Sequence, residues 1–128
     1  PVAATFRHFC IETLSSDTDD NQACISEVEL LDDKGQVIDK TKWKVVYVDS
    51  ELADQNLGVG ENLYDGDVSS FWHTDPTAKA SHPHQIIIDM QEIYKVTAFR
   101  VKVREGSFLS GKVKEFQLYP RPQFFLFH

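Results

Sequence analysis

Short runs of alternating apolar and polar residues, set between long stretches with no period, constrain this chain more than any other feature. Residues 5–14 alternate imperfectly and are rich in Phe, Ile and Thr. Ile25-Ser26-Glu27-Val28-Glu29-Leu30 reads as a period-two strand. Residues 32–35, Asp-Asp-Lys-Gly, read as a turn. Residues 43–48 are aromatic and β-branched, which suits a pleated surface. The run Gln85-Ile86-Ile87-Ile88-Asp89-Met90 predicts a buried strand, and residues 96–103 and 113–119 alternate again. Helical spacing lasts no longer than one turn, near residues 51–56. Many short strands joined by long loops predict an all-β fold, an antiparallel sandwich or a jelly roll. In such a fold the sheets are scaffold and the loops carry function.

Composition narrows the partners. A chain of 128 residues fits one domain, here residues 1–128, and 41% hydrophobic residues are enough for a core. The net charge of −7 disfavours nucleic acid, whose phosphates are neutralised by Lys and Arg, and disfavours anionic membranes. It suits metal cations and neutral ligands. No apolar run approaches the roughly 20 residues of a membrane span. The start Pro1-Val2-Ala3-Ala4-Thr5 lacks the basic and apolar regions of a signal peptide. Cys10 and Cys24 read as two buried thiols, with a cross-strand disulfide as the alternative.

Three constellations could carry chemistry. Asp65-Gly66-Asp67-x-x-Ser70 sets two carboxylates and a hydroxyl around a glycine able to take positive φ. Hard cations such as Ca²⁺ take oxygen ligands from turns of this kind, whereas a solvated Asp-Gly turn is the plainer reading. The spacing is not that of an EF-hand. His73, His82 and His84 lack the frame of a zinc site. His73 follows Phe71-Trp72 at a strand end, where an imidazole can hydrogen-bond a sugar hydroxyl or serve structure alone. Arg104 closes an alternating strand before Glu105-Gly106-Ser107-Phe108, and becomes a ligand contact if Glu51, His73 and Phe108 converge on it. No nucleophile motif, phosphate loop or paired-carboxylate signature is visible, so the chain is read as a non-enzyme.

Three groups of residues, with Phe99-Arg100 to Arg104 and Gly111-Lys112-Val113-Lys114-Glu115-Phe116 after them, together resemble a known family. They are Trp43-x-Val45-x-Tyr47-Val48-Asp49-Ser50-Glu51, the block Asn62-Leu63-Tyr64-Asp65-Gly66-Asp67-x-x-Ser70-Phe71-Trp72-His73-Thr74, and His82-Pro83-His84 ahead of an apolar strand. The chain resembles the discoidin-like (coagulation-factor C-type) domains over about residues 5–119, and in particular the galactose-binding carbohydrate-binding modules of family 32. The resemblance implies a jelly-roll sandwich with one structural Ca²⁺. The implied ligands are Glu27, the Asn62 carbonyl, Asp65, Asp67 and Ser70. It implies a sugar site in which Glu51, His73 and Arg104 bond ring hydroxyls. Where the family often has a stacking Trp this sequence reads Asp75-Pro76, and Phe108 is the substitute. The strands over residues 6–14 and 25–30 resemble those that commonly close the family's domain, yet they come first here, as in a circular permutant.

The implied function is a lectin-like module for galactose-type or related glycans, in an extracellular or cell-surface protein. A cytoplasmic setting stays open. The alternative is a discoidin-like domain that binds protein or lipid, favoured if Phe124, Phe125, Leu126 and Phe127 are exposed for self-association or contact with a parent enzyme. A hydrolase is the third reading.

Overall fold

Strand β5, His84–Val103, organises the molecule. The computed structural model describes residues 4–17, 21–78, 81–103 and 111–121. Before β5 come β1 (Ala4–Ser16), β2 (Cys24–Asp32), β3 (Lys44–Val48) and β4 (Trp72–His73); after it comes β6 (Val113–Arg121). The sheet order is β4-β2-β5-β1-β6, with β3 also paired to β5. All these pairings are antiparallel. The first part of β5 lies between β1 and β3, pairing Ile88 with both Phe9 and Val45. Its last part pairs with β2, Val101 against Val28. One strand thus serves both halves of the expected all-β sandwich.

The sequence divides β5 into two strands, at residues 85–90 and 96–103. The structure joins them. The pairing with β1 jumps from His8–Asp89 to Phe6–Tyr94, so β5 carries extra residues there, and Gln91 takes φ 70°. Asp89 holds this bend: its carboxylate accepts the Gln91 N–H at 2.8 Å and both Arg7 Nε and Arg7 Nη2, at 2.8 and 3.0 Å.

The core gathers Phe9 and Ile11 from β1, Ile25, Val28 and Leu30 from β2, Ile86 and Ile88 from β5, and Trp72 from β4. Ile25 and Val28 differ in parity, so β2 does not keep strict alternation. A bulge between Ile25 and Glu27 in the pairing with β5 resets the register, and both apolar side chains reach the core. The same device buries Ser26 and Glu27 together. Trp43 packs edge-on against Phe9 (5.4 Å) and Tyr64 (5.7 Å), and Leu63 closes the core from a short 3₁₀ helix, Gly60–Tyr64. The expected helical turn near residues 51–56 is a 3₁₀ turn at Asp54–Asn56. Cys10 and Cys24 are both buried and are not joined to each other.

Candidate functional site

Two loop systems carry the residues singled out above. The first presents Glu51 and His73. Their segments are tied backbone to backbone: Leu52 N–H donates to His73 O (2.7 Å), His73 N–H to Gly58 O (3.0 Å) and Gly58 N–H to Leu52 O (2.8 Å). A Cβ on Gly58 would lie 2.9 Å from His73 Cβ and 3.0 Å from Leu52 Cβ, so only glycine lets the three strands of chain meet. Ser50 adds two ties. Its carbonyl accepts Trp72 Nε1–H at 3.0 Å, and its hydroxyl accepts Asp75 N–H at 2.9 Å. Thr74 continues the seam: its N–H donates to Ala23 O at 2.9 Å and its hydroxyl donates to Gln22 Oε1 at 2.8 Å.

His73 is 6% exposed and its Nδ1 lies 2.6 Å from Thr74 O. A carbonyl only accepts, so Nδ1 carries the proton and Nε2 is the remaining polar atom. Glu51 Oε1 accepts the Gly60 N–H at 2.9 Å. The structure therefore brings the two segments together, while the two side chains bond elsewhere. Arg104 and Phe108 lie outside the described residues, as do Phe124, Phe125, Leu126 and Phe127. The chain leaves β5 at Val103, which pairs with Ile25, whose other neighbour is Trp72. Ser50 and Thr74 hold this end together, and reading the residues one by one does not reveal it. Both sit inside the motifs quoted above, but their partners are 22 to 52 positions away.

The second system is the 65–70 loop. Gly66 turns at φ 79°, as its Asp-Gly-Asp setting predicts. Asp65 Oδ1 accepts the Asp67 N–H at 2.9 Å and Oδ2 accepts the Ser70 hydroxyl. Asp67 Oδ1 accepts Ser69 N–H (2.9 Å) and Ser69 Oγ–H (2.6 Å), which hold its carboxyl below the usual range. Ser26 Oγ lies 2.6 Å from Val68 O and 3.1 Å from Ser70 O, fastening the loop to β2. The Asn62 amide donates to Asn56 O, Leu57 O and Phe71 O.

Glu27 faces this loop from β2. Its Oε2 accepts the Gly66 N–H at 3.3 Å and is paired with the Lys40 ammonium. Its Oε1 is buried and has no hydrogen-bond partner among the described residues. Burial pushes the Glu27 carboxyl upward, even against the Lys40 charge and the Gly66 N–H. A buried carboxylate oxygen without a donor is costly, and a cation would satisfy it. The side chains of Glu27, Asp65, Asp67 and Ser70 offer only oxygens, which suits a hard cation, although the Lys40 ammonium already pairs with Glu27 Oε2. Yet no three His, Cys, Asp or Glu side chains among the described residues form a ready metal cluster.

Elsewhere, an open groove of about 360 Å³ is lined by Ala4, Phe6, Val96, Phe99, Leu118 and Pro120, among others, and Phe99 is 44% exposed. Its lining is mainly apolar.

Two similarities to known proteins bear on these loops. The family profile of the F5/8 type C domain matches residues 46–121, well over half of the chain. The match starts inside β3 and takes in Glu51, His73 and the 65–70 loop. A sialidase of Micromonospora viridifaciens is 26% identical over 85 residues. That stretch is 65% of this chain and 13% of the sialidase, so the chain spans a small fraction of that relative's length.

Proposed function

The chain belongs to the F5/8 type C domain family, and from that premise we propose that it is a non-catalytic carbohydrate-binding module. Domains of this family are generally binding modules without catalytic activity. The ligands are galactose-type or related glycans, bound by loops at one end of the sandwich. Glycans of this class are met outside the cell, so the reading carries an extracellular or cell-surface setting with it. Glu51 and His73 are the contacts within the described residues; Arg104 and Phe108 are the contacts proposed from sequence. The observation that supports this most is the cross-tied seam of Leu52, Gly58 and His73. It holds the two polar side chains on a rigid platform, which lowers the ordering cost of binding a small polar ligand. A structural Ca²⁺ belongs to the same reading. Glu27, the Asn62 carbonyl, Asp65, Asp67 and Ser70 would hold it, and the unpartnered Glu27 Oε1 supports it. Bound there, the ion would supply positive charge that fixes the loop and would take no part in chemistry.

A site built from few polar contacts should bind one sugar with Kd near 10⁻³ to 10⁻⁵ M. NMR titration with galactosides tests this. Shifts should concentrate on residues 51–58 and 72–75, and Glu51→Gln or His73→Ala should weaken binding about tenfold or more. Absence of shifts in these segments would remove the sugar reading. The apolar groove beside Phe99 favours a second reading, a protein- or lipid-interaction domain. Cosedimentation with neutral lipid vesicles that is lost in Phe99→Ser would favour that reading over the first.

A further inference from the structure

The corner that would take a cation already has one. Lys40 lies on the segment between β2 and β3, and its side chain is 15% exposed. Its ammonium is paired with Glu27 Oε2, the same oxygen that accepts the Gly66 N–H. A small pocket lined by Glu27, Lys40, Gly66, Val68, Arg100 and Lys102, among others, opens at this point, and Lys40, Asp65 and Gly66 also line a second, shallow groove. Lys40 borders both hollows while paired with the Glu27 carboxylate. The Glu27 side chain is 5% exposed and its Oε1 lacks a donor. Lys40 thus satisfies one oxygen and leaves the other unmet.

A divalent ion and an ammonium cannot both sit against one buried carboxylate without strong repulsion, because like charges a few ångströms apart interact strongly where water is scarce. A lysine head on a four-carbon stem can swing out to water, as a planar, forked guanidinium with several fixed donors could not do as cleanly. Resting on the calcium reading above, we propose that Lys40 is the built-in counter-ion of this position. It holds Glu27 and the 65–70 loop when no metal is present, and it must withdraw when the ion binds. Lys40 therefore sets the affinity for the ion and lets the domain fold without it.

The test uses the full chain, stripped with chelator, in calorimetric titration with CaCl₂ and in thermal unfolding with and without the ion. Wild type should bind weakly and melt nearly alike in both conditions. Lys40→Met should bind Ca²⁺ at least about tenfold tighter, melt lower than wild type without the ion and recover with it. Adding Glu27→Gln to that variant should erase the gain. Equal affinity in wild type and Lys40→Met would overturn the role of Lys40 and leave the calcium reading standing. Binding by Lys40→Met alone would uphold the role of Lys40 and remove the ion from the wild-type protein. Silence in both would overturn both. If Lys40→Met fails to fold, the wild-type protein decides: on Ca²⁺ addition the Lys40 Cε–Hε NMR signals should move toward solvent-exposed values, and binding that leaves them in place would overturn the proposal.

Discussion

His84 has an oxygen acceptor on each side of its ring. Nδ1 lies 2.9 Å from Asp49 Oδ2 and Nε2 lies 2.6 Å from Asn21 O. Both contacts are satisfied together only by the imidazolium. Burial disfavours that charge, but the Asp49 bond, the Asn21 carbonyl and the Asp49 charge outweigh it, and the pKa is raised above 6.5. Among the described residues the ring's segment also meets Thr13, whose hydroxyl accepts His84 N–H, and the His82 ring, edge-on at 4.9 Å. The sign follows from the direction. The folded state holds the proton more tightly, so the contribution is complete below the unfolded pKa of about 6.5 and fades as pH rises through the higher folded value. Wild type should therefore exceed His84→Gln in stability most at pH 5.5–6, with the gap closing toward pH 9, as followed by urea unfolding across that range. A gap independent of pH would show that the ring acts by packing alone. This imidazolium was not legible in the sequence, where His82-Pro83-His84 read as a failed zinc frame and as part of a family motif, with no sign of a charge. Its partners are 35 and 63 positions away, and no local pattern announces them. Lys40 was hidden in the same way, because an isolated lysine in a loop reads as solvated charge.

Alternation located the strands because one face of each is buried, and that physical cause is local. The bulges were less visible. Ile25 and Val28 break parity, and the break marks the place where β2 gains a residue and turns Glu27 inward. The sequence reads there as a plain period-two strand; the structure breaks it with a bulge and makes of it a site. Gly58 is the corresponding case in a loop. It carried no signal, since its role is to leave room for His73 and Leu52. Gly58→Ala should cost about 1–3 kcal/mol by forcing backbone apart at a close-packed crossing. Thermal unfolding measures the loss. The ¹⁵N–¹H signals of residues 52 and 73 should move with it, since their hydrogen bonds share that crossing. Gly35→Ala, strained by its own φ of 75° but with open space around it, provides the comparison for residues 52 and 73, and their disturbance there would break the argument.

Over the whole molecule, the two tryptophans report on different parts of one core. Trp43 touches Phe9 on β1, and Trp72 on β4 pairs across β2 at Ile25. Phe9 is fully buried, and Phe9→Ala should cost about 3–5 kcal/mol. Because β5 belongs to both halves, the loss should lower a single transition. Fluorescence of Trp72, read in a Trp43→Phe background, and far-UV circular dichroism should give one midpoint in denaturant; two midpoints would mean that the halves unfold apart. The fold class and the loops that matter were legible at this scale, because counting alternating runs against aperiodic ones needs no knowledge of contacts. The sharing of β5 was not, since the polar stretch around Gln91 reads as the end of one strand and the start of the next.

That shared strand has a genetic consequence. The exposed turn at 33–36 can lengthen or shorten by a codon with local effect. Within residues 84–89, a single added codon moves every following side chain to the opposite face, against β1 and β3 at once, and carries the error toward β2. Variation in length should therefore be written at the rim of this domain, while its longest strand drifts only by exchange of one side chain for another.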